Sequence, residues 1–292
     1  MKVLVTGGTG FLGRNLVEYL QCRHELLVPD SNMLNLLDET SVDAFFNQYS
    51  IDIVIHAAGK PGHRNSRDPS GVFYADTRMY LNLMRNRESF DKLIITGSGA
   101  VYDIRKSHSK VKEEEWANGM PADEHGFFRY VTAHHMQTSS RIVDLRLFGV
   151  FGKYEDYAIR FISNAICKSL FDLPITIKQN RIFDYLYIND LLPVVDHFIS
   201  YDAIHSEYNV TPDLAISLRE LADIVLSVSG KDLPIVTAQE GMGLEYSGDN
   251  SRLKQEIPNM QFTNIDNAIA QLYEWYRMNM RKIDFGSLLT DK

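Results

Sequence analysis

The chain reads TGGTGFLG at residues 6–13, directly after the apolar run KVLV. Gly8, Gly10 and Gly13 fit a G-x-G-x-x-G pattern; Gly7, Gly10 and Gly13 fit a three-spaced version of it. The run before the glycines suits a buried strand, and Leu12, Leu16, Val17 and Leu20 after them recur at helical spacing. A glycine loop between a strand and a helix is the context that turns a weak pattern into a pyrophosphate seat. One glycine permits the tight turn and another lets the backbone approach the phosphates. A third lets helix pack on strand, and the helix N-terminus faces the negative charge. Gly7, Gly10, Phe11, Leu12 and Gly13 are therefore the expected cofactor-binding loop. Asp30 ends the second apolar run, HELLVPD, seventeen residues after Gly13. An acid there accepts hydrogen bonds from adenosine ribose hydroxyls and repels a 2′-phosphate, which points to NAD(H). Arg14 beside the loop keeps NADP(H) open, and Asp30 as a plain turn residue is the competing reading.

Beyond this unit, strands and helices alternate. TSVDAFFNQYS reads as a helix with Thr40 as its candidate N-cap, IDIVIHAAG as a third strand, and TRMYLNLMRN as a helix. DKLIITGSGAVY and RIVDLRLFGVFG read as the fourth and fifth strands. Such alternation specifies an α/β fold with a doubly wound parallel sheet and right-handed crossovers. After Gly152 the rhythm loosens. SLRELADIVLSVSG has a serine N-cap, an apolar stripe and a C-terminal glycine, and IDNAIAQLYEWYRMNM reads as a closing helix. The expected division is a Rossmann-type dinucleotide domain over 1–152, with 182–205 returning to it. A smaller α/β substrate lobe takes 153–181 and 206–292, interleaved with the first.

Of the 292 residues, 45% are apolar and 23% charged, enough to bury a substantial core. A net charge of −8 without a long basic run argues against nucleic acid or an anionic membrane as partner. No apolar stretch is long enough to span a bilayer, and the N-terminus opens into a strand rather than a signal-peptide pattern. Two cysteines, Cys22 and Cys167, outside any C-x-x-C fit a reducing, cytoplasmic setting. His56, His63, His108, His134 and His135 show no metal-ligand spacing, so no metal is expected.

Six motifs in order carry a family resemblance: VTGGTGFLG, DIVIHAAG, TGSGAVYD, LRLFGVFG, FDYLYINDL and YNVTPDLAISLRELADIV. Together the chain resembles the extended short-chain dehydrogenase/reductases of the NAD-dependent epimerase/dehydratase family, which act on nucleotide sugars. LNLLDETSVDAFF is most similar to the reductase branch that includes GDP-fucose synthase and dTDP-rhamnose reductase. The resemblance implies that Ala57, Ala58 and Gly59 line the cofactor and that Ser98 is the catalytic serine. It also implies a nucleotide-sugar substrate, a homodimer, and a place in surface-polysaccharide or deoxysugar biosynthesis. Three positions depart from it. Phe183 replaces the usual diphosphate arginine, leaving Lys178 and Arg181 as candidates. Asp76 takes the place of a helix asparagine, and Ala100 that of the cysteine of the fucose synthase branch.

The family keeps a tyrosine and a lysine four residues apart, and two registers compete for those places. One sets Tyr130 and His134 there; the other sets His125 and Arg129. Pro121, Asp123, His125, Gly126 and Arg129 follow the family's spacing in step. His125 also leaves 21 residues before Arg146 on the next strand, against 16 from Tyr130. A helix rising about 1.5 Å per residue crosses the sheet more comfortably in the longer span. The second register is preferred. Ser98 would then orient the sugar oxygen, and imidazolium of ordinary pKa about 6.5 would supply its proton. Arg129 would add a fixed charge, depress the histidine pKa, and shuttle no proton. That set fits reduction of a ketone better than removal of a hydroxyl proton. An epimerase or dehydratase with catalytic NAD, and a non-catalytic binding protein with a degenerate site, remain as alternatives.

Overall fold

The computed structural model describes residues 1–62, 68–139 and 141–289, so His63 lies outside the described residues. The first unit is β1 (Lys2–Thr6), α1 (Phe11–Leu20) and β2 (Glu25–Leu27), followed by α2 (Glu39–Gln48) and β3 (Ile53–His56). The α2 helix is capped by Asp38 rather than by Thr40: the Asp38 carboxylate accepts from the Thr40 amide at 3.0 Å. An ionised side chain at the positive helix end outcompetes a hydroxyl already inside the first turn. Next come α3 (Val72–Arg85), β4 (Lys92–Ser98), a short β5 (His108–Val111), α4 (Glu124–Met136) and β6 (Ile142–Leu147). The fifth predicted strand breaks at Phe148, and its end becomes β7 (Gly149–Phe151).

The remainder runs α5 (Phe161–Leu170), β8 (Ile175–Asn180), β9 (Ile182–Phe183), β10 (Tyr185–Tyr187), α6 (Ile188–Ser200) and β11 (Glu207–Val210). Then come β12 (Ile216–Ser217), α7 (Leu218–Ser229), β13 (Ile235–Met242), β14 (Tyr246–Gly248), α8 (Ser251–Glu256) and α9 (Ile265–Met278). The α7 ends match their sequence signals. Ser217 and Glu220 form a capping box, and Gly230 closes the helix at φ 67°.

Six strands form one parallel sheet in the order β11-β6-β4-β3-β1-β2, a Rossmann-type arrangement. The strand order reverses beside β1, which is where open α/β sheets bind ligands at the carboxyl ends of their strands. The loops after β1 and β3 flank that crevice. One apolar core, including Leu16, Leu20, Val194 and Phe198, packs α1 and α6 on one face and continues to α5, α7 and α9. A second core, including Phe45, Leu83 and Phe128, packs α2, α3 and α4 on the other.

The smaller half holds a four-stranded sheet, β12-β9-β14-β5, and two paired strand couples. Residues 182–205 send α6 back under the main sheet, where the buried Lys92 ammonium donates to the Phe198 carbonyl at 2.9 Å. The main sheet also takes β11, from the segment assigned by sequence to the substrate lobe. Its amide and carbonyl groups complete the β6 edge, which would otherwise lie buried and unpaired. Among the described residues no helix is long and apolar enough to cross a membrane.

Candidate active site

The glycine loop is built on backbone contacts. Gly7 has φ 69°, and a Cβ there would lie 2.7 Å from the Ala57 carbonyl and the Ala58 amide. A Cβ on Gly13 would lie 2.1 Å from the Gly7 carbonyl oxygen. The loops after β1 and β3 thus touch each other through positions that admit no side chain. Gly10 caps α1 without a side chain, so its first-turn N–H groups face an open loop. A nicotinamide dinucleotide fits this cradle. Phe11, Leu12 and Gly13 would hold its pyrophosphate by their amides, with Gly7 and Gly10 leaving room for it. Ala57, Ala58 and Gly59 form the facing wall. That wall is fixed by buried Asp76, which accepts from the Lys60 amide at 2.7 Å. Asp30 is exposed, and one of its carboxylate oxygens accepts from the Asn32 and Met33 amides, each at 2.9 Å. The acid therefore serves a turn as well as standing where a ribose would reach it.

Ser98 ends β4, and its hydroxyl oxygen accepts from the Ala100 amide at 3.1 Å. The start of α4 sits directly against this turn. A Cβ on Gly126 would meet the Ala100 carbonyl at 2.7 Å, so only glycine lets His125 approach so closely. Asp123 caps the helix by accepting from the Gly126 amide at 2.8 Å. One turn on, Arg129 lies over the sheet with its Nε buried and without a hydrogen-bond partner. Its charge is opposed by Asp144 on β6 and Asp76 on α3, and it presses on His56 at the end of β3. Asp144 reaches this place because Gly97 has no side chain; a Cβ there would overlap the carboxylate. Burial raises both carboxyls, and Arg129 offsets part of the rise. Burial and Arg129 hold His56 down to about 3, so it is a neutral partner of the Thr6 hydroxyl at 2.9 Å.

Tyr130 and His134 face elsewhere. Tyr130 packs edge-on against Trp116 with ring centroids 5.3 Å apart, and His134 meets the same indole at 4.6 Å. Burial is the first cause, and Arg129 the second, that bring His125 down to about 4; Asp123 opposes and Arg160 assists. The expected imidazolium is thereby corrected. At neutral pH this imidazole is uncharged, because a half-buried ring beside a guanidinium loses more solvation than Asp123 returns.

The diphosphate candidates also separate. Arg181 stacks on Phe183 at 4.4 Å and donates from Nε to the Leu244 carbonyl at 3.2 Å. Lys178 is exposed on β8. Sequence reasoning missed Arg160, the N-cap residue of α5, whose charge acts on both His125 and Tyr185. No motif marks it; only the fold brings residue 160 beside residue 125.

The sheet order, the glycine cradle at its reversal and the serine turn against α4 define a Rossmann-type dinucleotide-fold architecture. The chain belongs to the NAD dependent epimerase/dehydratase family, whose model matches residues 3–211. It is 29% identical to GDP-L-colitose synthase of Yersinia pseudotuberculosis over 107 residues, covering 35% of each chain. It is 34% identical to GDP-L-fucose synthase of Azorhizobium caulinodans over 98 residues, covering 32% of this chain and 31% of that one. The matches thus span about a third of those two relatives. In structure it is similar to MlghC, a GDP-mannoheptose C4 reductase from Campylobacter jejuni with NADP bound. The TM-score is 0.79 at 20% identity, over 94% of this chain and 98% of that one. Members of this family are NAD(P)-dependent nucleotide-sugar epimerases, dehydratases and reductases.

Proposed function

We propose that the protein reduces a keto nucleotide sugar with NADH or NADPH, with Ser98, His125 and Arg129 around the reacting oxygen. The charge balance at position 125 carries this reading. Oxidising a sugar hydroxyl requires a base for its proton. An imidazole held down to about 4 is a weak base for that work. Adding hydride to a ketone instead places negative charge on oxygen. A fixed guanidinium and a serine hydroxyl stabilise that charge in a partly dehydrated cleft. The dinucleotide, when bound, supplies the hydride. Ser98 orients the oxygen, Arg129 provides positive potential without giving up a proton, and neutral His125 offers a hydrogen bond. The oxygen then takes its proton from solvent. The names of the two curated relatives and of the heptose reductase favour a GDP-linked sugar. Arg160 and Arg181 are the cations offered to the diphosphate, ahead of Lys178.

The test is incubation with NADH or NADPH and GDP-, CDP-, UDP- and dTDP-linked 4-keto sugars, followed at the absorbance of reduced nicotinamide. Loss of absorbance with one keto sugar is expected. Conversion of a nucleotide sugar without net loss of reduced cofactor would replace this reading by epimerisation or dehydration. Binding without conversion would replace it by a non-catalytic role.

A further inference from the structure

The family's tyrosine is missing at position 125, yet a tyrosine hydroxyl does reach the serine turn, from the other half of the molecule. Tyr246 lies on β14, the strand between β9 and β5, in register with Phe183 on one side and His108 on the other. Its ring packs against Phe148 at 4.8 Å, Phe183 at 6.0 Å and His108 at 6.3 Å. These contacts fix the ring and aim its hydroxyl at Gly99, the residue after Ser98. A Cβ on Gly99 would lie 2.5 Å from that hydroxyl oxygen. Glycine at 99 is thus what admits the phenol. Tyr246 is only 9% exposed, so nearly all of its side chain is held by these neighbours.

We infer that the Tyr246 hydroxyl donates a hydrogen bond to the substrate oxygen that Ser98 faces, so that the substrate lobe completes the catalytic constellation. The inference rests on the proposed reductase reading and deepens it. Burial, with Tyr102 and the carboxylates of Asp123 and Asp184 nearby, holds this phenol well above its ordinary pKa, so it stays protonated and keeps a hydrogen to donate. A neutral donor at this place strengthens as the oxygen gains charge, which is the interaction that raises turnover rather than affinity. The geometry also gives the two halves a shared task. Ser98 comes from the end of β4 and Tyr246 from β14, so the oxygen is gripped only when both halves are in place.

The experiment compares wild type, Ser98→Ala and Tyr246→Phe on the best keto sugar of the panel. Tm and affinity for the reduced dinucleotide are measured alongside. Tyr246→Phe keeps the ring and removes only the donor. Its kcat is expected to fall about 100-fold, with KM changed less than about threefold. If Tyr246→Phe keeps wild-type kcat while Ser98→Ala loses it, the inference fails and the reductase reading stands. If wild type converts no member of the panel, both fail. A crystal structure of the wild-type ternary complex with NAD⁺ or NADP⁺, whichever the panel selects, and the reduced nucleotide sugar gives a second readout, independent of how the variants fold. A hydrogen bond of about 2.8 Å from Tyr246 to the sugar hydroxyl is expected. Its absence from that oxygen overturns the inference.

Discussion

Replacing Gly13 by alanine separates packing from propensity. The substitution lies inside α1, where alanine is favoured over glycine by about 1 kcal/mol. Against that gain stands a Cβ 2.1 Å from the Gly7 carbonyl oxygen, 2.7 Å from its carbon and 2.9 Å from the Gly8 Cα. All three are backbone atoms, so no side-chain rotation relieves the overlap. Inserting a methyl into packed surroundings costs about 1–3 kcal/mol, and the backbone contact places this site at the upper end. The net loss is about 1–2 kcal/mol, and at about 2–4 °C per kcal/mol the Tm falls by several degrees. The larger effect is on binding. Relief requires α1 to move away from the β1 loop, which displaces the amides of Phe11 and Leu12 from the cradle. Fluorescence titration with NADH and NADPH should show the affinity for the cofactor that binds down at least about tenfold. Gly8→Ala is the internal control, because its Cβ meets the Val28 Cγ1 at 2.2 Å, the end of an exposed side chain that can rotate. If Gly13→Ala leaves both Tm and affinity for the reduced dinucleotide unchanged, the cradle argument is wrong.

Three further outcomes follow from the charges. Arg129→Met should move the His125 titration upward from about 4, because a nearby positive charge is removed; NMR of the imidazole protons tests this, and no upward movement refutes it. Burial raises the Glu155 carboxyl from an ordinary 4.5 to about 8 in the folded chain, so the folded state holds the extra proton between those values. That contribution to stability is complete below about pH 4.5 and lost as pH rises through about 8. Tm measured from pH 5 to 9 should therefore fall more steeply for wild type than for Glu155→Gln; parallel curves would refute it. Arg160→Ala should raise KM for the nucleotide sugar about tenfold while Lys178→Ala leaves it unchanged, since only Arg160 acts on His125; equal effects in steady-state kinetics would remove Arg160 from the site.

Local signals made part of this molecule legible. The strand–glycine–helix unit at residues 2–20 and the Ser217 and Gly230 caps each depend on neighbours within a few positions, so their meaning is carried by spacing alone. Thr40 misled because Asp38, two residues earlier, competes for the same amides. The strand at 207–210 escaped its assignment because membership of a sheet depends on which edge is open, and β6 leaves one. The charge on His125 was out of reach for a related reason. The pattern around Pro121 and Asp123 favours its register, but its protonation depends on burial and on Arg129, whose charge Asp144 opposes. Arg160 and Tyr246 belong to no motif, and they reach the cleft only through the chain's return across it.

That return also sets an order of events during synthesis. The last strand of the main sheet, β11, leaves the ribosome after residues 153–206, so β6 waits as a raw edge while about fifty further residues are made. Until β11 arrives, the Glu113 carboxylate lacks the Asn209 amide that it accepts at 2.8 Å, and the Tyr102 hydroxyl lacks the Asn209 side-chain oxygen to which it donates at 2.6 Å. A nascent chain halted near residue 200 would expose both the edge and this polar cluster, making it a target for chaperones and a seed for aggregation.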